Sequence, residues 1–360
     1  MTDQTVRVLV AGLGKMGRSH ALAYHHNPGF KITGLVNRSK VALPDGLESH
    51  AFYQDFDRAL DILGPDAVSI NTYSDSHADY AIRAMEAGCH VFVEKPLATT
   101  VADARAVVDC ARANGRKLVV GYILRHHPSW IRLIAEARDL GGPYVFRMNL
   151  NQQSSGETWE THKNLMKSTS PIVDCGVHYI DVMCQITDAK PVEVRGMGLR
   201  LSQDIDDEMY NYGHLQVLFD DGSVGWYEAG WGPMMSETAF FVKDVISPGG
   251  CVSIVMDEGA KSDDVDTHTQ TQRIRVHSSR TGNDGKFTDA DKLVSMEGEP
   301  GHQELCDLEQ AFFLKAIRED IDLSRHMEDA VKSLHVCLAA DESVRTGKAV
   351  KLGQAGPATN

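Results

Sequence analysis

The chain is short of positive charge: 36 Lys and Arg stand against 50 Asp and Glu, a formal charge of −14. Such a surface repels a phosphate backbone or an anionic bilayer, so nucleic-acid and membrane partners are not expected. No apolar run approaches the ~20 residues of a membrane span. The polar start Met1-Thr-Asp-Gln-Thr5 leads directly into a strand-like run, and no signal peptide is expected. The seven cysteines (Cys89, Cys110, Cys175, Cys184, Cys251, Cys306 and Cys337) are scattered and never adopt a C-x-x-C or metal-knuckle spacing. They read as reduced thiols of a cytoplasmic protein without a metal. Internal repeats are also lacking.

What is present is an ordinary globular composition, 42% hydrophobic and 24% charged, in 360 residues. A single core seldom grows beyond ~250–300 residues, so two domains are expected. From residue 6 to about 122, short β-branched runs alternate with helical stretches. Strands are expected at Val6–Val10, Lys31–Val36, Ala67–Asn71, His90–Val93 and Lys117–Tyr122, with helices such as Ala78–Ala87 and Val101–Ala113 stopped by Gly88 and Gly115. This pattern predicts an α/β fold with a doubly wound parallel sheet.

After Gly141-Gly142-Pro143 the style changes to long strands separated by helices. A hairpin is expected where Gly213–Phe219 and Val224–Ala229 flank an Asp-Gly turn. Further strands are expected at Tyr144–Asn151, Val192–Leu201, Thr238–Val245, Cys251–Met256 and Arg273–His277, and helices at Ser170–Ile186, His302–Glu319 and Met327–Arg345. The division that follows is a nucleotide-binding domain over 1–122, an α+β domain with a large, mostly antiparallel open sheet over 123–352, and a tail over 353–360. The polar stretch 257–291 reads as an exposed excursion.

Gly12-Leu-Gly14-Lys15-Met16-Gly17 follows the first strand and opens a helix. Gly12 suits the tight turn, Gly14 lets backbone approach a pyrophosphate, and Gly17 lets helix pack on strand. The helix N-terminus then offers unpaired N–H groups to the phosphates. The second strand ends in Asn37-Arg38-Ser39 with no carboxylate for an adenosine ribose, so NAD and NADP both remain open. Two later segments carry chemistry: Glu94-Lys95-Pro96 at the end of a parallel strand, and Ser170-Pro171-x-x-Asp174-x-x-x-His178 opening a helix with Asp174 and His178 on one face.

Together these three motifs resemble the Gfo/Idh/MocA family of NAD(P)-dependent oxidoreductases over nearly the whole chain. Thr72-Tyr73-Ser-Asp-Ser-His77 is also similar to that family's loop after the third strand, although proline is more usual where Tyr73 stands. The resemblance implies a Rossmann domain followed by an open sheet whose face forms a homodimer or homotetramer. It implies Lys95, Asp174 and His178 as catalytic residues, with Thr72, Tyr73, His77, Glu94, Lys95 and Pro96 added to the cofactor site. A cis Lys95–Pro96 bond is a further implication.

For the chemistry, alcohol oxidation needs a hydride acceptor and a base. A histidine, with an unperturbed pKa of ~6.5, suits the base, so His178 takes that role. Lys95 would stabilise the developing alkoxide, and Asp174 would orient His178 or a substrate hydroxyl. Tyr122, Arg125, His126, Asn149, Gln152, Trp159 and His162 are candidate walls for a polyhydroxylated small molecule, offering hydrogen bonds and an aromatic face. The leading expectation is a dehydrogenase of an aldose C1 or an inositol-like ring carbon. An NAD-dependent glycoside hydrolase and a non-catalytic dinucleotide sensor are the alternatives, and Lys95 with His178 argues against the sensor.

Overall fold

The computed structural model describes residues 5–235, 242–255 and 271–353. The chain forms two compact units, one of Met1–His126 with Pro300–Val331 and the other of His127–Glu299 with Lys332–Asn360.

The first unit is built on a six-stranded parallel sheet. Its strands are β1 (Val6–Ala11), β2 (Phe30–Val36), β3 (Phe52–Tyr53), β4 (Ala67–Ile70), β5 (His90–Val93) and β6 (Leu118–Val120), in the order β3-β2-β1-β4-β5-β6. That order reverses direction at β1, and such a switch point is where doubly wound sheets bind ligands. The connecting helices are α1 (Lys15–His26), α2 (Phe56–Leu63), α3 (His77–Glu86) and α4 (Val101–Ala113). The sequence reading misses β3 and α2, which are short. Gly88 and Gly115 do end α3 and α4 with positive φ of 88° and 60°, the left-handed geometry that glycine reaches without a Cβ penalty.

The sequence division at residue 122 keeps 300–331 with the second domain, whereas in the structure this segment packs with the first. Helix α8 (His302–Arg318) places Phe313, Leu314 and Ala316 in one core with Val6, Val8, Tyr24 and Phe30. Phe313 reaches both Phe30 and Phe92, with ring centroids 6.3 and 6.2 Å away. Only burial in that core explains the apolar stripe of α8.

The second unit, among the described residues, holds a nine-stranded sheet. It comprises β7 (Val145–Gln153), β8 (Pro191–Leu199), β9 (Tyr212–Phe219), β10 (Val224–Gly232), β11 (Lys243–Ser247), β12 (Gly250–Val255), β13 (Arg273–Ser278), β14 (Lys292–Ser295) and β15 (Val350–Lys351). All neighbours are antiparallel except β7 and β10. Helix α7 (Pro171–Ile186) covers the inner face, with the Tyr179 and Tyr227 rings stacked at 4.9 Å. Helices α5 (Pro128–Leu140) and α6 (Gly156–Leu165) also belong here, and neither is named by the sequence reading. Helix α9 (Ser324–Thr346) gives residues up to Val331 to the first unit and the rest to this one. Of the strand expected over Thr238–Val245, residues 238–241 lie outside the described set, and the described part of it is β11 from Lys243. Met256 of the expected Cys251–Met256 strand, 257–270 of the expected excursion and 354–360 of the expected tail also lie outside it.

Candidate active site

In the first unit the glycine turn sits at the C-terminal end of β1. Gly12 has φ 89°, and a Cβ there would lie 2.4 Å from the Asn71 carbonyl oxygen. A Cβ on Gly17 would lie 2.0 Å from the Gly12 oxygen, so turn and helix touch backbone to backbone. At Gly14 a Cβ would meet nothing within 4 Å. Gly14 caps α1 and is exposed with Lys15, while Met16 is half-buried and the first turn carries no acidic residue. Open backbone at a helix N-terminus is a surface that fits a pyrophosphate.

Asn37 ties this turn to the end of β2. Its Oδ1 accepts from the Leu13 N–H at 3.0 Å and its Nδ2 donates to the Ser39 carbonyl at 2.8 Å. Arg38 and Ser39 are exposed beside it. After β4, the Thr72 and Ser76 hydroxyls meet at 2.7 Å, and Tyr73 points to solvent at 56% exposure.

The end of β5 is more buried than its motif suggests. Glu94 is turned inward, with Oε1 2.7 Å from His20 Nε2 and Oε2 accepting the Lys95 N–H at 3.1 Å. His77 is likewise buried, with its ring nitrogens 2.7 Å from the Pro96 carbonyl and 3.0 Å from that of Thr72. The Glu94 and His77 side chains, expected on the cofactor, are therefore engaged with protein. The Lys95–Pro96 bond is cis, and Lys95 itself is half-buried.

Beyond β6, Tyr122 is buried with the Arg125 guanidinium 6.0 Å from its ring centre. Arg125 pairs with the buried Asp329 of α9 at 3.1 Å. His126 packs on Phe312 and is held down to about 4 by burial and by the Arg125 charge. The glycine turn, Asn37, Thr72, His77, the Lys95 turn and Tyr122 thus gather around the C-terminal ends of β1, β2, β4, β5 and β6.

In the second unit Ser170 caps α7, its hydroxyl accepting the Val173 N–H at 3.1 Å. Asp174 follows in the first turn, buried, and His178 one turn later is half-buried. Beside them, Gln152 Oε1 accepts the Trp231 indole N–H at 2.8 Å and lies 3.7 Å from the Cys175 sulfur. The His162 ring stacks on Trp231 at 4.4 Å, with Nδ1 2.9 Å from the Ser154 hydroxyl. Trp159 is buried on α6 with the Lys163 amine 5.9 Å from its ring.

Asn149 is corrected by the structure. It is 1% exposed, and its side chain accepts the Val242 N–H at 2.9 Å while its carbonyl accepts from Lys243. The residue stitches β7 to β11, so the side chain expected on a substrate is engaged with protein. The sequence reading misses Lys243, whose buried amine is pushed down to about 7 by desolvation and lies 4.8 Å from the Tyr179 ring centre. His20 and Gln310 are missed too, because each gains its partners from far along the chain. One group of described residues has the donor types for a metal: His20, Cys306 and Glu309, with ligand atoms within 4.8 Å of one another. Both His20 nitrogens are already engaged, by Glu94 and Gln310. Asp174, His178 and His162 form no such group among the described residues.

Residues 6–122 match an oxidoreductase family with an NAD-binding Rossmann fold, and residues 130–242 match the C-terminal domain of the same family. The chain belongs to the Gfo/Idh/MocA family. A scyllo-inositol 2-dehydrogenase (NAD(+)) of Bacillus subtilis is 25% identical over 363 residues, covering 97% of each chain. Among solved structures, scyllo-inositol dehydrogenase of Lactobacillus casei with bound NAD(H) and scyllo-inositol superposes with TM-score 0.73 at 18% identity, covering 97% of this chain and 99% of that one. An aldose-aldose oxidoreductase of Caulobacter crescentus gives TM-score 0.73 at 23% identity, with 97% and 100% covered. The family assignment makes the protein an NAD-binding oxidoreductase, and the two superpositions bear out its fold. None of the described helices is long and apolar enough to cross a membrane.

Proposed function

We propose that this protein is a dehydrogenase of a polyhydroxylated ring, oxidising an inositol-like carbon or the C1 hydroxyl of an aldose. The observation that carries the reading is the open backbone at Gly14 on the same sheet as the Lys95 turn, in a chain matched over 97% of its length by an inositol dehydrogenase. The glycine turn and the α1 N-terminus would hold the dinucleotide phosphates. The bound nicotinamide supplies a hydride acceptor.

The protein's own residues manage the proton and the charge. Lys95 donates a hydrogen bond to the reacting hydroxyl and stabilises the alkoxide as it forms. His178 takes the proton as general base. Asp174, in the first turn of α7, binds a neighbouring hydroxyl or orients His178. The Gln152 amide, half-buried beside the stacked His162 and Trp231 rings, offers hydrogen bonds that a cyclic polyol needs. NAD is the family's cofactor, and the missing carboxylate at Asn37 leaves NADP open.

Lys95→Met and His178→Ala are each expected to lower kcat by roughly 10²–10⁴-fold on the best substrate from a panel of inositols and aldoses, with cofactor affinity changing far less. The double variant is expected to lose less than the product of the two, because both groups serve one proton transfer. Independent multiplication of the losses, or near-unchanged turnover in either variant, overturns the shared-hydroxyl mechanism.

A further inference from the structure

We infer that His20 and His77 are positioning residues that grip the Glu94-Lys95-Pro96 turn from its two sides; the inference rests on the role given to Lys95 above. On one side runs a directed chain of hydrogen bonds. The Tyr24 hydroxyl donates to Gln310 Oε1 at 2.6 Å, so the Gln310 amide nitrogen faces His20 Nδ1, at 2.9 Å. A ring that accepts at Nδ1 donates from Nε2, and this nitrogen meets Glu94 Oε1 at 2.7 Å. The second Glu94 oxygen accepts the main-chain N–H of Lys95 at 3.1 Å. Tyr24, His20 and Gln310 are wholly buried, and Glu94 is 6% exposed.

Burial alone would raise the Glu94 carboxyl, but the His20 hydrogen bond and the nearby Lys95 charge hold it well below the usual range. Its neighbour Glu309 is driven the other way, by burial first and then by the Glu94 charge. The pocket therefore carries one ionised carboxylate, and that one is spent on the Lys95 backbone. A buried carboxylate held in this way costs more than apolar packing of the same volume, which points to placement of the turn rather than to stability.

On the other side, His77 bridges two carbonyls, Pro96 at 2.7 Å and Thr72 at 3.0 Å. Carbonyls only accept, so the ring donates to one of them when neutral and to both when protonated. Its link to Pro96 fastens the residue after Lys95 to the loop after β4, just as Glu94 fastens the residue's own N–H. With the main chain pinned on either side of its Cα, the direction in which the Lys95 side chain leaves the sheet is set. Displacing such a group by about 1 Å can cost 10²-fold in rate.

The test compares His20→Ala and His77→Ala with His20→Gln and His77→Gln, since a glutamine amide can donate to Glu94 or to a carbonyl. The alanine variants are expected to lose roughly 10- to 100-fold in kcat, with KM and cofactor Kd within about threefold. The glutamine variants are expected to recover most of the loss, and they carry the test where alanine does not fold. In a Lys95→Met background the same substitutions are expected to add little, because they act through Lys95. A readout besides activity comes from reductive methylation of lysines with carbon-13 formaldehyde. The Lys95 resonance, assigned by its loss in Lys95→Arg, is expected to shift in both alanine variants. Unchanged kcat with an unmoved resonance, or losses that multiply undiminished in the Lys95→Met background, overturns the inference. Should Lys95→Met itself keep its turnover, the catalytic reading fails and the resonance alone decides: a shift upholds the grip on Lys95, and no shift overturns it.

Discussion

Gly14 and Gly17 stand three residues apart in one motif, yet space treats them oppositely. Gly14→Val is expected to leave the unfolding midpoint nearly unchanged, since nothing lies within 4 Å of its Cβ position, while abolishing cofactor binding in a fluorescence titration. Gly17→Ala is expected to lower stability by about 1–3 kcal/mol, because its Cβ would be 2.0 Å from main-chain oxygen. Asn37→Asp keeps an acceptor for the Leu13 N–H and places a carboxylate beside Arg38. The ratio of kcat/KM for NAD over NADP is expected to rise, and an unchanged ratio shows that this loop does not decide the preference. Glu309 gives the pH dependence. Its folded pKa is raised above that of the unfolded chain by burial and by Glu94, so the folded state binds the extra proton. Stability linked to it is full below the unfolded value of ~4.3 and is lost as pH rises through the folded one. Glu309→Gln removes that loss, so the wild-type protein is expected to fall behind the variant in chemical denaturation as pH increases from about 4 toward 9. The glycines, Lys95, Asp174 and His178 are legible in the sequence because each sits in a local pattern. His20 is not, since its partners Glu94 and Gln310 lie 74 and 290 residues away.

At the scale of elements, α7 is both the carrier of Asp174 and His178 and the point where the second unit is pinned. Ser170 caps it and also donates to Asp341 of α9 at 2.8 Å, while the Tyr210 hydroxyl donates to the same Asp341 oxygen at 2.5 Å. Ser170→Ala is expected to cost about 1–2 kcal/mol in chemical denaturation, with Ser170→Thr close to wild type. Equal losses in both variants show that the cap is not what holds the helix. The Ser-Pro start of α7 is visible in the sequence because capping is local chemistry, as is the Asp-Gly turn, where Gly222 has φ 84° between β9 and β10. The boundaries expected for β5 and α4 coincide with those observed. Helix α6 is not legible in the sequence because most of it is exposed, leaving Trp159 and His162 as its buried side chains and little periodicity to read.

At the scale of the whole molecule, the outer face of the second unit's sheet presents Val145, Met197, Leu199, Leu218 and Val224, each at least 39% exposed. A hollow of about 480 Å³ on it is lined by Glu193, Arg195, Gln216 and Trp226, and holds none of the residues expected at the site. We propose this face as the homo-oligomer interface, because the opposite face is already covered by α7 and apolar side chains in such number call for a partner surface. Leu218→Asp with Trp226→Arg is expected to reduce the mass found by light scattering to that of one chain. A wild-type protein that is monomeric at high concentration removes the proposal.

The sequence by itself determined the local chemistry: the glycine turn after a strand, the Lys95 strand end, the Asp174/His178 face and the two styles of sheet. Each depends on neighbours within a few residues, where backbone geometry and side-chain spacing act directly. Tertiary structure alone decided that α8 returns to the first unit, that Asn149 serves β11, and that Glu94 and His77 turn inward. Those outcomes depend on which distant surfaces exclude water together, and a buried polar group takes whatever partner that packing brings within reach.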